Sequence, residues 1–249
     1  MPIIIKSDEE IAIMRHAGSV VARTLRRLVE ELRPGLVVKE LDKIVRREFD
    51  KHKVIPTFLG YHGYPATVCV SVNDEIVHGI PGRRVIEDGD VVSLDLGCTY
   101  EGFVADSALT VIVGAPKPGT ERLVDVTRES LDEGIRQARP GNRLGAISHA
   151  IQTYVESRGF GVVREYVGHG VGRQMHEEPQ VPNYGPPDRG PLLKKGMVLA
   201  LEPMVTMGDW RTRQMEDNWT VKTVDGSLAA HFEHTIAITD GEARVLTVP

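Results

Sequence analysis

An internal repeat is the sequence feature that most constrains the fold. Arg33-Pro34-Gly35 recurs as Arg139-Pro140-Gly141, an offset of 106 residues (139 minus 33). Each triplet separates two segments with helix-like apolar spacing, and a Pro-Gly pair is typical of a helix end. Three further pairs recur in the same order: His62-Gly63 with His169-Gly170, Gly89 and Asp95 with Gly196 and Glu202, and Asp106 and Gly114 with Glu233 and Gly241. The repeat predicts two related halves, roughly residues 1–115 and 116–249.

Both halves begin with a predicted helix, turn and helix, followed by antiparallel strands. Ser7 and Glu10 have the spacing of a capping box at the start of the first helix. The apolar positions with helical spacing are Ile11, Met14, Ala17, Val21, Leu25, Leu28 and Leu32 in the first segment, Val38, Leu41, Ile44, Val45 and Phe49 in the second, and Leu144, Ile147, Ile151, Tyr154 and Val155 in the second half. We therefore predict one pseudo-symmetric α+β domain spanning residues 1–249, with its site where the halves meet.

Charge and composition exclude several classes of protein. The chain has 30 Lys and Arg against 35 Asp and Glu, a formal net charge of −5. This balance gives no reason to expect nucleic acid or a membrane as partner. The two cysteines, Cys69 and Cys98, cannot form a disulfide framework, and no secretory signal or run of about 18 apolar residues is present. We expect a cytoplasmic protein.

Two aspartates lie on neighbouring predicted strands of the first half. Asp95 lies in the apolar run 91–96 and Asp106 in the run 103–113, with a turn expected near Tyr100-Glu101. If the hairpin turn has two residues centred there, paired residue numbers sum to 201, so that Asp95 faces Asp106 (95 plus 106). Two carboxylates this close repel each other, and a cation between them is the simplest compensation.

The second half repeats the pattern with two glutamates. Glu202 lies in the largely apolar segment 197–203, and Glu233 opens the run from Thr235 to Thr239. No comparable set of lysines or arginines is interleaved with the four acids, which favours divalent metal ions. An oxygen-rich set with one imidazole suits two ions that share bridging ligands. Cobalt, manganese and iron fit best, and zinc or nickel stay open.

Three histidines lie in glycine-rich or tight-turn contexts. His169 is displayed in Gly168-His169-Gly170-Val171-Gly172, His176 follows closely, and His78 lies in Val77-His78-Gly79-Ile80-Pro81-Gly82. Glycine at these places indicates that the backbone passes close to another group. His16, His52, His149 and His234 are expected to be ordinary surface or core residues, and His231 is left unassigned.

The segment Tyr166-Val167-Gly168-His169-Gly170-Val171-Gly172-Arg173-Gln174-Met175-His176 resembles the defining motif of type I methionine aminopeptidases. The resemblance covers nearly the whole chain, because Gly60-Tyr61-His62-Gly63-Tyr64-Pro65, Leu201-Glu202-Pro203 and Phe232-Glu233-His234-Thr235 follow in the expected order. It implies the pita-bread fold, in which helices pack on a curved antiparallel sheet. It also implies two divalent ions held by Asp95, Asp106, His169, Glu202 and Glu233, with Asp106 and Glu233 bridging.

The same resemblance implies a reaction and a substrate. The enzyme would remove the initiator methionine from nascent proteins when the second residue is small. Glu202, His176 and His78 are the expected catalytic residues: a proton shuttle, an oxyanion stabiliser and a donor to the backbone beyond the scissile bond. The expected methionine pocket comprises Phe58, Tyr61, Tyr64, Cys69, His78, Met175, His176 and Trp219. We expect a monomer. Transient contact with the ribosome would suit a nascent-chain substrate, but the basic residues Lys194-Lys195 and 211–213 are too few to predict a ribosome-binding surface.

Three positions depart from the family pattern. Gly97 replaces a frequent hydroxyl residue, Met175 a frequent aromatic residue, and His231 a common glutamine. None of these changes removes an expected metal ligand. Three alternatives remain open: a proline-specific peptidase of the same fold (prolidase or aminopeptidase P type), a non-catalytic peptide-binding relative and, ranked last, a dinuclear phosphoesterase, for which no P-loop-like phosphate loop is seen.

Overall fold

A nine-stranded sheet runs through the molecule in the computed structural model, which describes residues 2–249. The strands of this part of the chain are β1 (Ile55–Pro56), β2 (Cys69–Val72), β3 (Glu75–Val77), β4 (Asp90–Tyr100), β5 (Phe103–Val113), β6 (Gly161–Val162), β7 (Gly168–Gly170), β8 (Glu177–Val181), β9 (Val198–Leu201), β10 (Met204–Thr206), β11 (Thr212–Gln214), β12 (Val221–Thr223), β13 (Ala229–His231), β14 (Glu233–Ala237) and β15 (Arg244–Val245). The helices are α1 (Asp8–Glu31), α2 (Lys39–His52), α3 (Thr120–Gln137) and α4 (Leu144–Glu156).

The two halves of the chain share the main sheet. Its strand order is β1-β4-β5-β14-β9-β7-β8, with β2 on β4 and β15 on β14. The halves join where β5 pairs antiparallel with β14, through Glu233 opposite Ala108 and His234 opposite Ser107. Two smaller sheets, β13-β10-β6 and β11-β12-β3, adjoin it. The predicted α+β architecture with helices packed on an antiparallel sheet is confirmed.

Helix α1 forms where the sequence predicts it. The Ser7 side chain accepts the Glu10 N–H at 3.2 Å, and the Glu10 carboxylate accepts the Ser7 N–H at 3.0 Å, which completes the capping box. The predicted apolar face is buried from Ile11 to Leu28 and packs on β4 and β5. Burial of this face, rather than helix propensity alone, stabilises α1.

The repeated Pro-Gly triplets adopt the same backbone conformation. Gly35 and Gly141 both have φ of +88°, a left-handed conformation that glycine accepts without strain. Each follows the first helix of its half and precedes the second, as predicted. One landmark of the repeat is wrong: His62 lies in a 3-10 turn (Tyr61–Gly63), whereas His169 lies in strand β7. Tyr154 packs half-buried against an apolar cluster beside α3 and α4, as its spacing predicts, while its hydroxyl reaches Glu129 at the surface.

The hairpin of β4 and β5 has a two-residue turn, but not in the predicted place. The turn residues are Glu101 and Gly102, with φ of +47° and +78°, the conformation of a type I′ turn. Paired residue numbers therefore sum to 203 rather than 201, and Asp95 lies opposite Ala108 while Gly97 lies opposite Asp106. The prediction that Asp95 and Asp106 are direct cross-strand partners is wrong. They are diagonal neighbours on one face of the hairpin.

Two apolar clusters, one in each half, pack on the same face of the main sheet. One packs α1 and α2 against β4, including Leu28, Phe49 and Leu94, and another packs α3 and α4 against β9, including Ile147 and Leu199. These clusters hold the central strands rigidly, so that side chains on the opposite face can be buried around a cavity. Within residues 2–249 no helix has the length and hydropathy needed to cross a bilayer.

Candidate metal centre and active site

Four acids meet on the central strands. Asp95 on β4, Asp106 on β5 and Glu233 on β14 are buried, with 9%, 3% and 2% of their surface exposed. Glu202 directly follows β9, and its side chain is 15% exposed. Because β4, β5, β14 and β9 are consecutive in the sheet, strands from both halves bring these carboxylates to one place.

Glu202 and Glu233 lie next to matching breaks between β9 and β10 and between β13 and β14. His234 pairs with Leu201, and His231 pairs with Met204, so both pairs sum to 435. Glu202 and Glu233 sum to the same number, and they stand opposite each other between these two pairs. The regular hydrogen-bond pattern between the two chain segments is therefore interrupted where the Glu202 and Glu233 side chains enter the cavity.

The carboxylates lack compensating partners among the described residues. Asp95 Oδ1, Asp106 Oδ1 and Glu233 Oε1 are buried without a hydrogen bond. Burial, and then the neighbouring carboxylates, raise the pKa of Asp95, Glu202 and Glu233 well above the ordinary value, and burial raises the pKa of Asp106 to about 7. Burying an ionised carboxylate without a partner costs free energy and raises its pKa, unless a nearby cation neutralises the charge. The unpartnered oxygens fit divalent metal ions.

His169 supplies a nitrogen ligand to the same cluster. One ligand atom each from Asp106, His169 and Glu233 lie within 4.8 Å of one another. The Nδ1–H of His169 donates to the Gly170 carbonyl at 2.9 Å, which leaves Nε2, 3.6 Å from Glu202 Oε1, free to bind a metal. Burial, with a smaller effect of His176, lowers the pKa of His169 to about 3. The imidazole is thus neutral, as a metal ligand must be.

The glycines beside His169 allow close packing of β7. A Cβ on Gly168 would lie 2.4 Å from the Ala200 carbonyl oxygen, and one on Gly170 would lie 2.2 Å from that of Glu178. Any side chain there would push β7 away from β9 or β8. The glycine-rich motif therefore fixes the position of His169 in the sheet.

A cavity of about 330 Å³ adjoins the acids. Its wall opposite the cluster is aromatic: the rings of Tyr64 and Trp219 meet edge to face at 5.0 Å, and Phe58 meets Tyr64 at 6.4 Å. Tyr64 is fixed because its hydroxyl lies 2.9 Å from the Gly79 carbonyl oxygen. The cavity is lined by Phe58, Tyr61, His62, Tyr64, Cys69, His78, Asp95, Asp106, His169, Met175, His176, Glu202, Trp219 and Glu233.

His176 and His78 stand at the border of the cavity. The Tyr61 hydroxyl lies 2.6 Å from His176 Nδ1, and the rings of His169 and His176 are 4.3 Å apart. His78 has a left-handed backbone, with φ of +62°, and its ring meets that of Trp219 at 6.4 Å. Burial lowers the pKa of His78 to about 4 and also lowers the pKa of His176. Both imidazoles are neutral at physiological pH.

The sequence profile of metallopeptidase family M24 matches residues 12–240. The chain belongs to metallopeptidase family M24. This M24 chain is 54% identical to methionine aminopeptidase 1 of Bacillus subtilis over 245 residues, which cover 98% of the chain and 99% of that protein. The solved methionine aminopeptidase of Thermotoga maritima superposes with a TM-score of 0.98 at 51% identity, covering 100% of both chains. The predicted family is confirmed.

The prolidase of Pyrococcus furiosus shows how widely this fold is shared. It superposes with a TM-score of 0.78 at 23% identity, covering 99% of this chain and 66% of the prolidase. At this identity the likeness shows the pita-bread fold alone. Membership of M24 makes the chain a metal-dependent peptidase, in agreement with the unpartnered acids.

Every residue that the sequence placed in the site lines the cavity of this M24 enzyme, but one lining residue was missed. His62 lies between Tyr61 and Gly63, with its ring 4.4 Å from that of Tyr61. The only available signal was its place in the Gly60 to Pro65 motif.

The departure at Gly97 has a structural reason in this M24 chain. A Cβ there would lie 3.1 Å from Phe58 Cε1 and 3.3 Å from Asp106 Oδ1. Glycine therefore lets the Phe58 ring close directly over β4. Met175, the second departure, is buried with Phe58 and Tyr64 in one apolar cluster.

Proposed function

We propose that this M24 peptidase is a methionine aminopeptidase that hydrolyses the bond after an N-terminal methionine. The observation that carries the proposal is an aromatic cavity that opens directly onto the carboxylate cluster. Relatives aligned over nearly their full length, in Bacillus subtilis and Clostridium acetobutylicum, bear this name at 54% and 49% identity. The requirement for a small second residue rests on the family resemblance.

We assign two divalent ions to the cluster, with Asp95, Asp106, His169, Glu202 and Glu233 as ligands. Asp106 and Glu233 are the proposed bridging residues, as the family resemblance implies, and one ligand atom of each lies within 4.8 Å of the other and of a His169 nitrogen. Divalent ions bound here supply Lewis acidity and lower the pKa of a coordinated water. Cobalt, manganese, iron, zinc and nickel all accept this oxygen-rich set with one imidazole.

Glu202 is the proposed proton shuttle. It is the one acid of the four that is only partly buried, so its carboxylate can reach a substrate in the cavity. A carboxylate oxygen of Glu202 is placed to take a proton from the attacking water as a general base. The same oxygen then delivers this proton to the leaving amine.

His176 is the proposed donor to the scissile carbonyl oxygen. Burial raises the pKa of Tyr61, so its phenol keeps its proton and can donate to His176 Nδ1. A neutral imidazole that accepts at Nδ1 carries its own proton on Nε2. This Nε2–H can stabilise negative charge that develops on the carbonyl oxygen. The proposed partner of His78 is the substrate backbone beyond the scissile bond.

The apolar part of the cavity is the proposed methionine pocket. Methionine is flexible and its sulfur packs favourably against aromatic edges, which Tyr64 and Trp219 provide. The remaining proposed contacts are Phe58, Tyr61, Cys69, His78, Met175 and His176. Cys69 serves here as a small apolar wall, because burial raises the pKa of its thiol.

Metal-depleted protein, restored ion by ion, tests the proposal with Met-Ala-Ser and an X-Pro dipeptide as substrates. Methionine release from Met-Ala-Ser is expected with at least one of the five ions. Cleavage of the X-Pro dipeptide alone would favour the proline-specific alternative. Binding without cleavage of either peptide would favour a non-catalytic relative, although all five proposed ligands are present. A phosphoesterase would instead cleave p-nitrophenyl phosphate.

Three finer points are proposed on the same basis. We infer that residues 1–249 act as one catalytic domain, because strands of both halves supply the proposed ligands. N-terminal peptides of nascent proteins are the proposed partners, in a cytoplasmic monomer that requires neither nucleic acid nor membrane. Transient ribosome contact follows only from the choice of substrate and stays a prediction.

A further inference from the structure

His231 is a buried imidazole without a hydrogen-bond partner in the described part of the chain. It is 2% exposed, and neither Nδ1 nor Nε2 has a partner. Burying a polar group without a hydrogen bond costs free energy, and native structures rarely contain one without a reason. The side chain therefore calls for an explanation beyond packing.

The backbone of His231 is fixed independently of its ring. Its N–H donates to Thr110 Oγ1 at 2.9 Å, and its carbonyl accepts the Thr110 hydroxyl at 2.7 Å. Ser93 lies 2.8 Å from the same hydroxyl and supports it from β4. These hydrogen bonds do not involve the ring of His231, so they are kept when the side chain is replaced by one of similar volume.

The ring of His231 lies beside Glu202. His231 pairs with Met204, two residues beyond Glu202, and its Nε2 is 4.0 Å from Glu202 Oε2. The other oxygen, Glu202 Oε1, is 3.6 Å from His169 Nε2. The Glu202 carboxylate thus stands between two imidazoles, one that is a proposed metal ligand and one that has no assigned role.

We propose that His231 is a positioning residue for Glu202, with its Nε2–H as the donor that orients Glu202 Oε2. One bridging water, or a movement of about 1 Å by the Glu202 side chain, closes the gap to hydrogen-bond distance. Oε1 is then held toward His169 and the metal cluster. The inference rests on the proposed function, in which Glu202 is both a ligand and the proton shuttle.

His234, three residues further along the chain, is a half-buried histidine with a purely structural hydrogen bond. Its Nδ1 lies 2.8 Å from Thr247 Oγ1, and it faces a separate cavity behind the sheet. His231 has no such partner and gains nothing in stability from its polar atoms. A residue that costs stability beside an active-site carboxylate is typical of a functional position.

The experiment compares His231→Leu, which has no donor, with His231→Gln, which keeps an amide donor, and uses His234→Gln as a matched control. The first measurement is calorimetric titration of Mn²⁺ into metal-depleted protein. Partners of metal ligands typically contribute about 10- to 100-fold to affinity or activity. We expect His231→Leu to bind one Mn²⁺ about tenfold more weakly and His231→Gln to recover most of this loss.

The second measurement separates positioning from structure. In His231→Leu, kcat for Met-Ala-Ser at saturating Mn²⁺ should fall about 10- to 100-fold, with KM nearly unchanged. The Tm of the metal-free protein should not fall, because leucine removes unpartnered polar atoms at similar volume. His234→Gln should keep the wild-type kcat.

Wild-type Mn²⁺ affinity and kcat in His231→Leu would overturn the inference, as would losses that only follow a lower Tm. If wild-type protein fails to release methionine but His231→Leu still weakens Mn²⁺ binding, the proposed function fails and the positioning role stands. Failure of the two proposals is therefore distinguishable.

Discussion

Lys6 and Glu177 form a buried ion pair in which Lys6 Nζ lies 2.6 Å from Glu177 Oε2, with the two side chains 3% and 5% exposed. The pair connects the segment before α1 to the residue that follows His176. Glu177 Oε1 also accepts the Gln174 N–H at 3.2 Å. This salt bridge joins two segments that are far apart in the sequence. It therefore fixes the position of the segment that carries Met175 and His176.

We predict that Lys6→Met lowers the free energy of unfolding by about 3–5 kcal/mol, because it leaves the Glu177 carboxylate buried without its cation. Lys195→Met is the matched control: Lys195 and Asp240 also lie 2.6 Å apart, but their side chains are 52% and 80% exposed. Its expected effect is much smaller, because solvent screens an exposed ion pair. Urea denaturation of both variants measures the difference, and equal losses would contradict the role of burial.

The pairing of Tyr61 with His176 predicts two graded effects on turnover. His176→Ala should lower kcat for Met-Ala-Ser about 100- to 1,000-fold, as the loss of an oxyanion donor does. Tyr61→Phe should lower it less, because the imidazole remains but the hydroxyl that sets its tautomer is lost. Metal content should stay at the wild-type level in both variants. A normal kcat in His176→Ala would refute its role.

The sequence predicted the metal cluster better than it predicted the geometry between its members. Four acids in apolar strands and one imidazole between glycines were recognisable because buried charge requires a specific compensation. The register of β4 and β5 was not recognisable from the sequence. A turn shifted by one residue moves the cross-strand partner of every residue by two positions. Asp95 and Asp106 nevertheless face the same cavity, since a shift of two residues preserves the face.

Other features depended on tertiary contacts that no local pattern records. His62 and His231 are each one histidine among nine, and the sequence does not show which side chains they approach in the fold. The first is drawn into the cavity by a 3-10 turn. The second is placed beside Glu202 by pairing between β10 and β13. Only the assembled sheet shows that both lie near the reacting groups.

The metal-free protein should become less stable as the pH rises from about 7 to about 8, the range in which folded Asp106, with a pKa of about 7, loses its proton. The raised pKa values of Asp95, Glu202 and Glu233 mean that the folded state holds protons that the unfolded state has released. Unfolded histidines, with a pKa of about 6.5, are already neutral in this range and add little to the slope.

Thermal unfolding with a chelator at both pH values measures this slope. Saturating Mn²⁺ should abolish it, because bound ions keep the carboxylates ionised in the folded state. Asp95→Asn should show a shallower slope than wild type, since it removes one of the protonated acids. A metal-free Tm that rises with pH in this window would contradict the assignment of raised pKa values.

Gly97 gives a prediction that separates pocket shape from catalysis. In Gly97→Ala the new Cβ would lie 3.1 Å from Phe58 Cε1 and 3.2 Å from the Ala105 carbonyl oxygen, so the Phe58 ring must move into the methionine pocket. Overpacking of this kind typically costs about 1–3 kcal/mol in the free energy of unfolding. KM for Met-Ala-Ser should rise more than kcat falls, because the change lies in the pocket wall. Gly241→Ala is the control, since a Cβ there has no neighbour within 4 Å, and it should change stability by less than about 0.5 kcal/mol. Unchanged KM in Gly97→Ala would show that Phe58 does not border the bound methionine.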